Sequence, residues 1–184
     1  MGCSLVENCG VIGILSLEGL DVTPLLISGL EALQHRGQEA WGIAVWGHRT
    51  FKRPGVVAQS IEAEYDAIRR MRGSAGIGHV RYSTTARSTV EHAQPIDLGG
   101  PGDERGFRIA HNGTLDRDLL AEALEGARPP SPRGVSDTEL LGMCLYRMLR
   151  EGRGWAEAFE RLSPALNGSF SLVVLTSRGE LVGV

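Results

Sequence analysis

Apolar and polar positions alternate most regularly at the start of the chain, where Cys9-Gly10-Val11-Ile12-Gly13-Ile14 reads as a buried β-strand opening on a cysteine. Glycines at 10 and 13 fit a strand whose backbone is approached closely by something else. The period then lengthens. Leu26, Leu30 and Leu33 form a helical stripe after Asp21-Val22-Thr23-Pro24, which predicts Thr23 as N-cap, Pro24 in the first turn and Gly37 as C-cap. Further strands are predicted at Trp41 to Trp46, around Val56-Val57-Ala58, and at Ala75 to Thr84, with a helix from Glu62 to Met71 whose arginines sit at its C-terminal end.

Ala86 to Gly106 is turn-rich and reads as loop. Phe107 to Ala110 is a strand running into His111-Asn112-Gly113, and Asp116 caps a helix to about Glu125. A proline-rich connector, Pro129 to Pro132, precedes a helix over Asp137 to Arg150. Another helix spans Trp155 to Leu162, followed by a strand over Ser169 to Thr176 and a hairpin strand beginning at Glu180. Strands, then helices, then adjacent strands predict an α+β or layered protein with largely antiparallel sheets, not a βαβ succession. Val184 falls inside a strand-like run, so a longer protein is expected.

Composition narrows the class. The 184 residues are 42% apolar and 22% charged with net charge −3, which predicts one globular domain and argues against a nucleic-acid or membrane partner. Three cysteines, Cys3, Cys9 and Cys144, give neither a disulfide framework nor metal-ligand spacing, so no metal is expected and a reducing cytoplasm fits best. Residues 1–8 are too short and polar for a signal peptide, and Val6 stands where a myristoylation signal wants Ser or Thr. They read as a leader to be removed.

Each candidate functional residue also has a purely structural explanation. Cys9 could be a small core hydrophobe. Arg81, in Gly78-His79-Val80-Arg81-Tyr82-Ser83-Thr84, could be an edge-strand arginine facing water, or a bidentate clamp for a carboxylate. Asn112-Gly113 is a common hairpin turn, yet a helix follows it. A side-chain amide beside a glycine N–H supplies the two donors of an oxyanion hole. Ser136 and Glu139 form a capping box, which places Asp137 in a first turn where a carboxylate is favoured in any case. Gln34-His35-Arg36-Gly37 reads as ordinary helix capping, and His35 is given no proton-transfer role.

Together these blocks resemble the glutaminase domain of the amidophosphoribosyltransferases, class II glutamine amidotransferases with an N-terminal nucleophile fold. The resemblance rests on Cys-Gly-Val-Ile-Gly-Ile (9–14), Leu-Gln-His-Arg-Gly-Gln-Glu (33–39), Gly-His-Val-Arg-Tyr-Ser-Thr (78–84), Gln94-Pro95, Ala-His-Asn-Gly-Thr-Leu (110–115) and Ser-Asp-Thr-Glu (136–139). It implies a four-layer αββα sandwich, with residues 9–184 as the glutaminase domain and the phosphoribosyltransferase domain absent from this chain. It implies Cys9 as nucleophile, with its freed α-amine as base, and Asn112 and Gly113 as oxyanion donors. Arg81, Asp137 and Thr84 would bind glutamine, while Arg36 and Gly10 support the nucleophile. No cofactor is implied. The implied partners are glutamine and a phosphoribosyltransferase domain or subunit receiving ammonia, and homo-oligomer formation is left open. Two alternatives stand beside this: a stand-alone glutaminase subunit feeding another synthase, and a catalytically silent glutamine-binding domain that keeps its leader.

Overall fold

The opening alternation becomes strand β1 (Gly10–Leu15) in a computed structural model that describes residues 9–82, 92–124, 135–166 and 169–184. Helix α1 (Thr23–Leu33) follows, then a short 3-10 turn (Gln34–Arg36), β2 (Ala40–Val45), β3 (Phe51–Pro54), α2 (Val57–Arg69) and β4 (Ala75–Arg81). The second half contains β5 (Ile96–Leu98), β6 (Phe107–Asn112), α3 (Arg117–Ala123), α4 (Asp137–Arg150), α5 (Trp155–Leu162), β7 (Ser171–Thr176) and β8 (Leu181–Gly183). The strands form two four-stranded antiparallel sheets, ordered β1-β4-β2-β3 and β5-β6-β7-β8.

Side-chain alternation along β4 explains the layering. Gly76, Gly78 and Val80 face α1, where Leu26 and Leu30 press so close that methyl groups on the two glycines would stand 2.4 and 3.0 Å from leucine methyls. Ala75 and Ile77 face the other way and meet Ala44, Ala110 and Leu175 between the sheets. The second sheet turns Phe107, Ile109, Leu172 and Val174 toward α3, α4 and α5. The result is the expected four-layer sandwich, α1 and α2 on one outer face and α3 to α5 on the other.

Several boundaries differ from the sequence reading, each for a local reason. Val56-Val57-Ala58 is not a strand: Gly55 turns the chain at φ 80°, and Val57 begins α2 with its side chain buried against α1. The third strand is Phe51–Pro54, hidden in the sequence by Lys52 and Arg53. There Phe51 packs on Trp41 and Arg53 pairs with Glu64 at 2.6 Å. The span read as loop contains β5, whose three residues pair with Phe107–Ile109. Val22, not Thr23, is the α1 N-cap, because the Thr23 hydroxyl donates to the Met71 carbonyl instead. Gly37 is extended (φ −162°) and is not a left-handed cap. The strand ending Ala75 to Thr84 is described as far as Arg81. Thr84 and the connector Pro129 to Pro132 lie outside the described residues.

Candidate active site

Cys9 sits immediately before β1, and what fixes it comes from the block read as helix capping. The Arg36 Nε donates to the Cys9 carbonyl at 3.1 Å. Gly10 follows the cysteine in a space where a methyl group would lie 3.0 Å from Val80 and 3.2 Å from Leu33. Gly37 serves a similar end: a Cβ there would stand 2.5 Å from the Arg81 carbonyl carbon, so the missing side chain is what lets the end of β4 approach. The Glu39 N–H donates to the Arg81 carbonyl at 3.1 Å, and the Gln34 Oε1 accepts from the Val57 N–H at 2.5 Å, tying this segment to α2.

The thiol lies against the end of β4. The Tyr82 N–H donates to Sγ at 3.4 Å, and Sγ reaches the Tyr82 carbonyl at 3.6 Å. Burial pushes the Cys9 thiol above its ordinary pKa. The Tyr82 backbone bond and the Arg81 charge act in the opposite direction, and the Asp137 charge adds to the rise. Both charged groups are therefore close enough to act on the sulfur. A thiol so placed carries little thiolate near neutrality, and its nucleophilicity depends on a base.

Arg81 ends β4 on the inter-sheet face. Its Nη1 is buried without a hydrogen-bond partner, and no carboxylate forms an ion pair with it among the described residues. A buried guanidinium nitrogen left open in this way suits an anion supplied from outside.

Asn112 ends β6, paired with Ser171 of β7. Gly113 then takes φ 133°, with the Phe170 Cβ and Ser169 carbonyl 2.8 Å from where a Cβ would be. The pair is not a hairpin turn. β6 pairs with β5 and β7, and the chain leaves Gly113 for α3, whose N-cap Asp116 accepts from the Asp118 and Leu119 N–H groups.

α4 begins with the capping box the sequence predicts, Ser136 accepting from the Glu139 N–H and Glu139 from the Ser136 N–H. That cap leaves Asp137 free for other contacts. Its Oδ1 accepts from the Thr138 N–H at 2.8 Å and its Oδ2 from the Leu115 N–H at 3.2 Å. The second bond joins the α4 N-terminus to the segment just past Asn112-Gly113, a link with no trace in the local sequence pattern. Sequence reasoning also gave no role to Gln94, His111 or Thr138, which interlock behind Asp137. All three fall inside blocks that carry the resemblance, 94–95, 110–115 and 136–139, but nothing in those blocks shows that they meet.

The other cysteine among the described residues is different. Cys144 is buried in the α4 core, donates to the Leu120 carbonyl at 3.3 Å, and is pushed up to about 11 by burial. A groove of about 830 Å³ lined by Trp46, Arg49, Asp97, Arg108 and Arg178 lies at the opposite end of the sandwich and contains none of these residues.

The sequence profile of the glutamine amidotransferases class-II matches residues 18–180. The chain belongs to the class II glutamine amidotransferases. Among relatives of this amidotransferase, the amidophosphoribosyltransferase of Pyrococcus horikoshii is 36% identical over 180 residues, covering 97% of this chain and 38% of that protein. The amidophosphoribosyltransferase of Mycobacterium tuberculosis is 37% identical over 178 residues, covering 92% and 33%. In structure, the amidotransferase domain is similar to the glutamine phosphoribosylpyrophosphate amidotransferase of B. subtilis, with a TM-score of 0.65 and 27% identity over 91% of this chain and 35% of that one. The chain thus spans little more than a third of the length of these relatives. Among the described residues no helix is long and apolar enough to cross a membrane.

Proposed function

We propose that this chain hydrolyses glutamine to glutamate and ammonia at Cys9, as the glutaminase part of an amidophosphoribosyltransferase. The observation that carries this reading is the convergence on one thiol of a buried, unpaired guanidinium nitrogen and a carboxylate. An α-amino acid needs that pair of opposite charges at its two ionic groups, so Arg81 takes the α-carboxylate and Asp137 the α-ammonium. Thr84, from the same block as Arg81, contributes a further contact to the substrate.

In the Asn8-Cys9 peptide the nitrogen is an amide and has no basicity. Removal of residues 1–8 frees an α-amine with a pKa of about 7.7–8.0, a base of suitable strength held beside its own sulfur. The amine takes the thiol proton, and the sulfur attacks the side-chain carboxamide carbon. The oxyanion is met by the Asn112 amide and the Gly113 N–H. Collapse returns the proton to the leaving nitrogen and releases ammonia, leaving a γ-glutamyl thioester that water hydrolyses to glutamate. The ammonia passes to a phosphoribosyltransferase domain or subunit. There it replaces the pyrophosphate of phosphoribosyl pyrophosphate to give phosphoribosylamine, the entry to purine synthesis, in the cytoplasm.

Intact-mass measurement combined with an ammonia assay tests the reading. A species beginning at Cys9 should release ammonia from glutamine, and the Cys9→Ala chain should release none. Activity in Cys9→Ala, or equal activity in a species that still begins at Met1, overturns it.

A further inference from the structure

The β5–β6 ladder stops at Ile96↔Ile109, and its register, carried two residues further past Pro95 and Ala110, would set Gln94 opposite His111. At that point the side chain of Gln94 takes over the pairing. Its Oε1 accepts the His111 N–H at 2.6 Å, and its Nε2 donates to the Thr138 hydroxyl at 3.2 Å. The main chain of Gln94 is occupied elsewhere: a methyl group on Gly42 of β2 would stand 2.4 Å from its carbonyl oxygen. One carboxamide therefore joins the strand that ends in Asn112 to the helix that begins with Asp137, while its backbone rests on the other sheet.

The network around it has one consistent arrangement of protons. The Thr138 Oγ1 has a single hydrogen and two lone pairs. It meets Gln94 Nε2, His111 Nδ1 at 3.3 Å and Asp137 Oδ1 at 3.4 Å. All three contacts are satisfied only when His111 carries its proton on Nδ1 and the hydroxyl points to Asp137. His111 is held neutral by burial against the pull of the Asp137 charge, which agrees with that arrangement. His111 and Thr138 are both nearly inaccessible to solvent, so water does not substitute readily for a lost partner.

We infer that Gln94 is a positioning residue for glutamine: through His111 and Thr138 it fixes the distance between the Asn112-Gly113 donors and the Asp137 carboxylate. This rests on the proposed role of Cys9. A ligand that must reach the oxyanion donors and the carboxylate at once depends on that spacing. A small thiol reagent that touches only the sulfur does not.

The test compares two alkylating agents on the purified chain, 6-diazo-5-oxo-L-norleucine, which carries the amino-acid end of glutamine, and iodoacetamide, which does not. Loss of one or two hydrogen bonds in Gln94→Ala or Thr138→Val should slow Cys9 labelling by the glutamine analogue about tenfold. Iodoacetamide labelling should stay within about twofold, and the glutamine KM should rise more than kcat falls. Thr138→Val keeps the shape of the side chain and serves if Gln94→Ala folds poorly; Thr138→Ser, which keeps the hydroxyl, should return analogue labelling to within about twofold of the parent. Parallel slowing of both reagents, or no change in either, overturns the inference and leaves the role of Cys9 standing. Failure of the analogue to label Cys9 in the unsubstituted chain, with iodoacetamide still reacting, overturns both.

Discussion

At the end of the sandwich where β1 begins and β4 and β6 finish, polar atoms are buried without partners among the described residues: Arg81 Nη1, both ring nitrogens of His79, His111 Nε2 and Glu39 Oε2. At the opposite end, where β2 turns into β3, β5 into β6 and β7 into β8, side chains close on their neighbours. The Thr50 hydroxyl donates to Asp97 at 2.6 Å, Arg108 donates to Asp97 and to the His48 carbonyl at 3.2 Å each, and the Trp46 Nε1 donates to the Ser177 carbonyl at 3.0 Å. The same strands supply both ends, so strand chemistry is not the cause. Buried polar atoms without partners cost stability, and a fold keeps them where something else will complete them. The paired end holds the hairpins together; the unpaired end is where the proposed substrate would fit.

The sharpest way to break this contrast is to remove a donor from the unpaired end. Asn112→Ala should lower ammonia release by about 10²–10³ with little change in melting temperature, since the Asn112 amide lies at the end of a strand and its loss removes charge stabilisation rather than packing. Rates from a coupled glutamate assay and a thermal melt check it together. A rate within a factor of three of the parent would separate Asn112 from the chemistry.

Two glycine substitutions sharpen the contrast at the level of the backbone. Gly37 is extended, so alanine there carries no dihedral strain. Its methyl would nevertheless stand 2.5 Å from the Arg81 carbonyl carbon and must push the end of β4 away. Gly37→Ala should cost about 1–3 kcal/mol and raise the glutamine KM severalfold. Gly47, in the β2–β3 turn, is the reverse case: φ is 85° with nothing within 4 Å of the added carbon. Gly47→Ala should cost about 1–2 kcal/mol in left-handed strain and leave the KM unchanged. Urea midpoints and KM values for the two variants decide the matter, and equal KM values would mean that the Arg81 backbone has no part in binding.

These cases also mark how far the sequence could be read. The helix α4 and its cap were legible because a capping box is a local device, and β1, β2, β4 and β6 because burial imposes a regular spacing. β3 and β5 were not, since Lys52, Arg53 and Asp97 break the alternation and three or four residues leave too short a pattern. The candidate site was legible as residue types: a cysteine, an arginine, an Asn-Gly pair and an aspartate. Its geometry was not. That Gly37 is needed for the approach of Arg81, that Asp137 holds the Leu115 N–H, and that Gln94 replaces a strand partner are all contacts between segments distant in sequence. No single segment records them.

A smaller effect is expected from pH. Burial lowers His79 to about 3; the nearby His111 backbone acts in the opposite direction, and the positive charges of Arg81 and Lys52, with that of His111 once it is protonated, add to the fall. The unfolded chain takes up this proton near the ordinary histidine pKa of about 6.5, and the folded chain does so only near 3. The unfolded state thus binds more protons throughout that window, and stability contributed by neutral His79 is present above it and lost as pH falls through it. The slope from one such group is at most about 1.4 kcal/mol per pH unit. His79→Leu should flatten the fall in the urea midpoint between pH 7 and pH 5, His111 supplying what remains. An unchanged slope would mean that the ring is hydrated and that this end is less dry than its burial implies.

The smallest effect is predicted for the paired end, and it tests whether the two ends are independent. Asp97 is about half exposed (48%) and accepts from Thr50 and Arg108, while Arg108 keeps its second bond to the His48 carbonyl when Asp97 is lost. Asp97→Ala therefore removes one solvent-screened ion pair and one hydroxyl bond, and leaves no charge buried. It should cost less than about 1 kcal/mol, less still in 0.5 M salt. Glutamine hydrolysis should remain at the parent rate, because Asp97 sits on β5 before the Gly99–Gly106 turn and Gln94 meets His111 beyond the other end of that strand. If hydrolysis fell about tenfold, β5 would be transmitting strain along its length from the hairpins to Gln94. The division between a paired, structural end and an open, chemical one would then be a matter of position only.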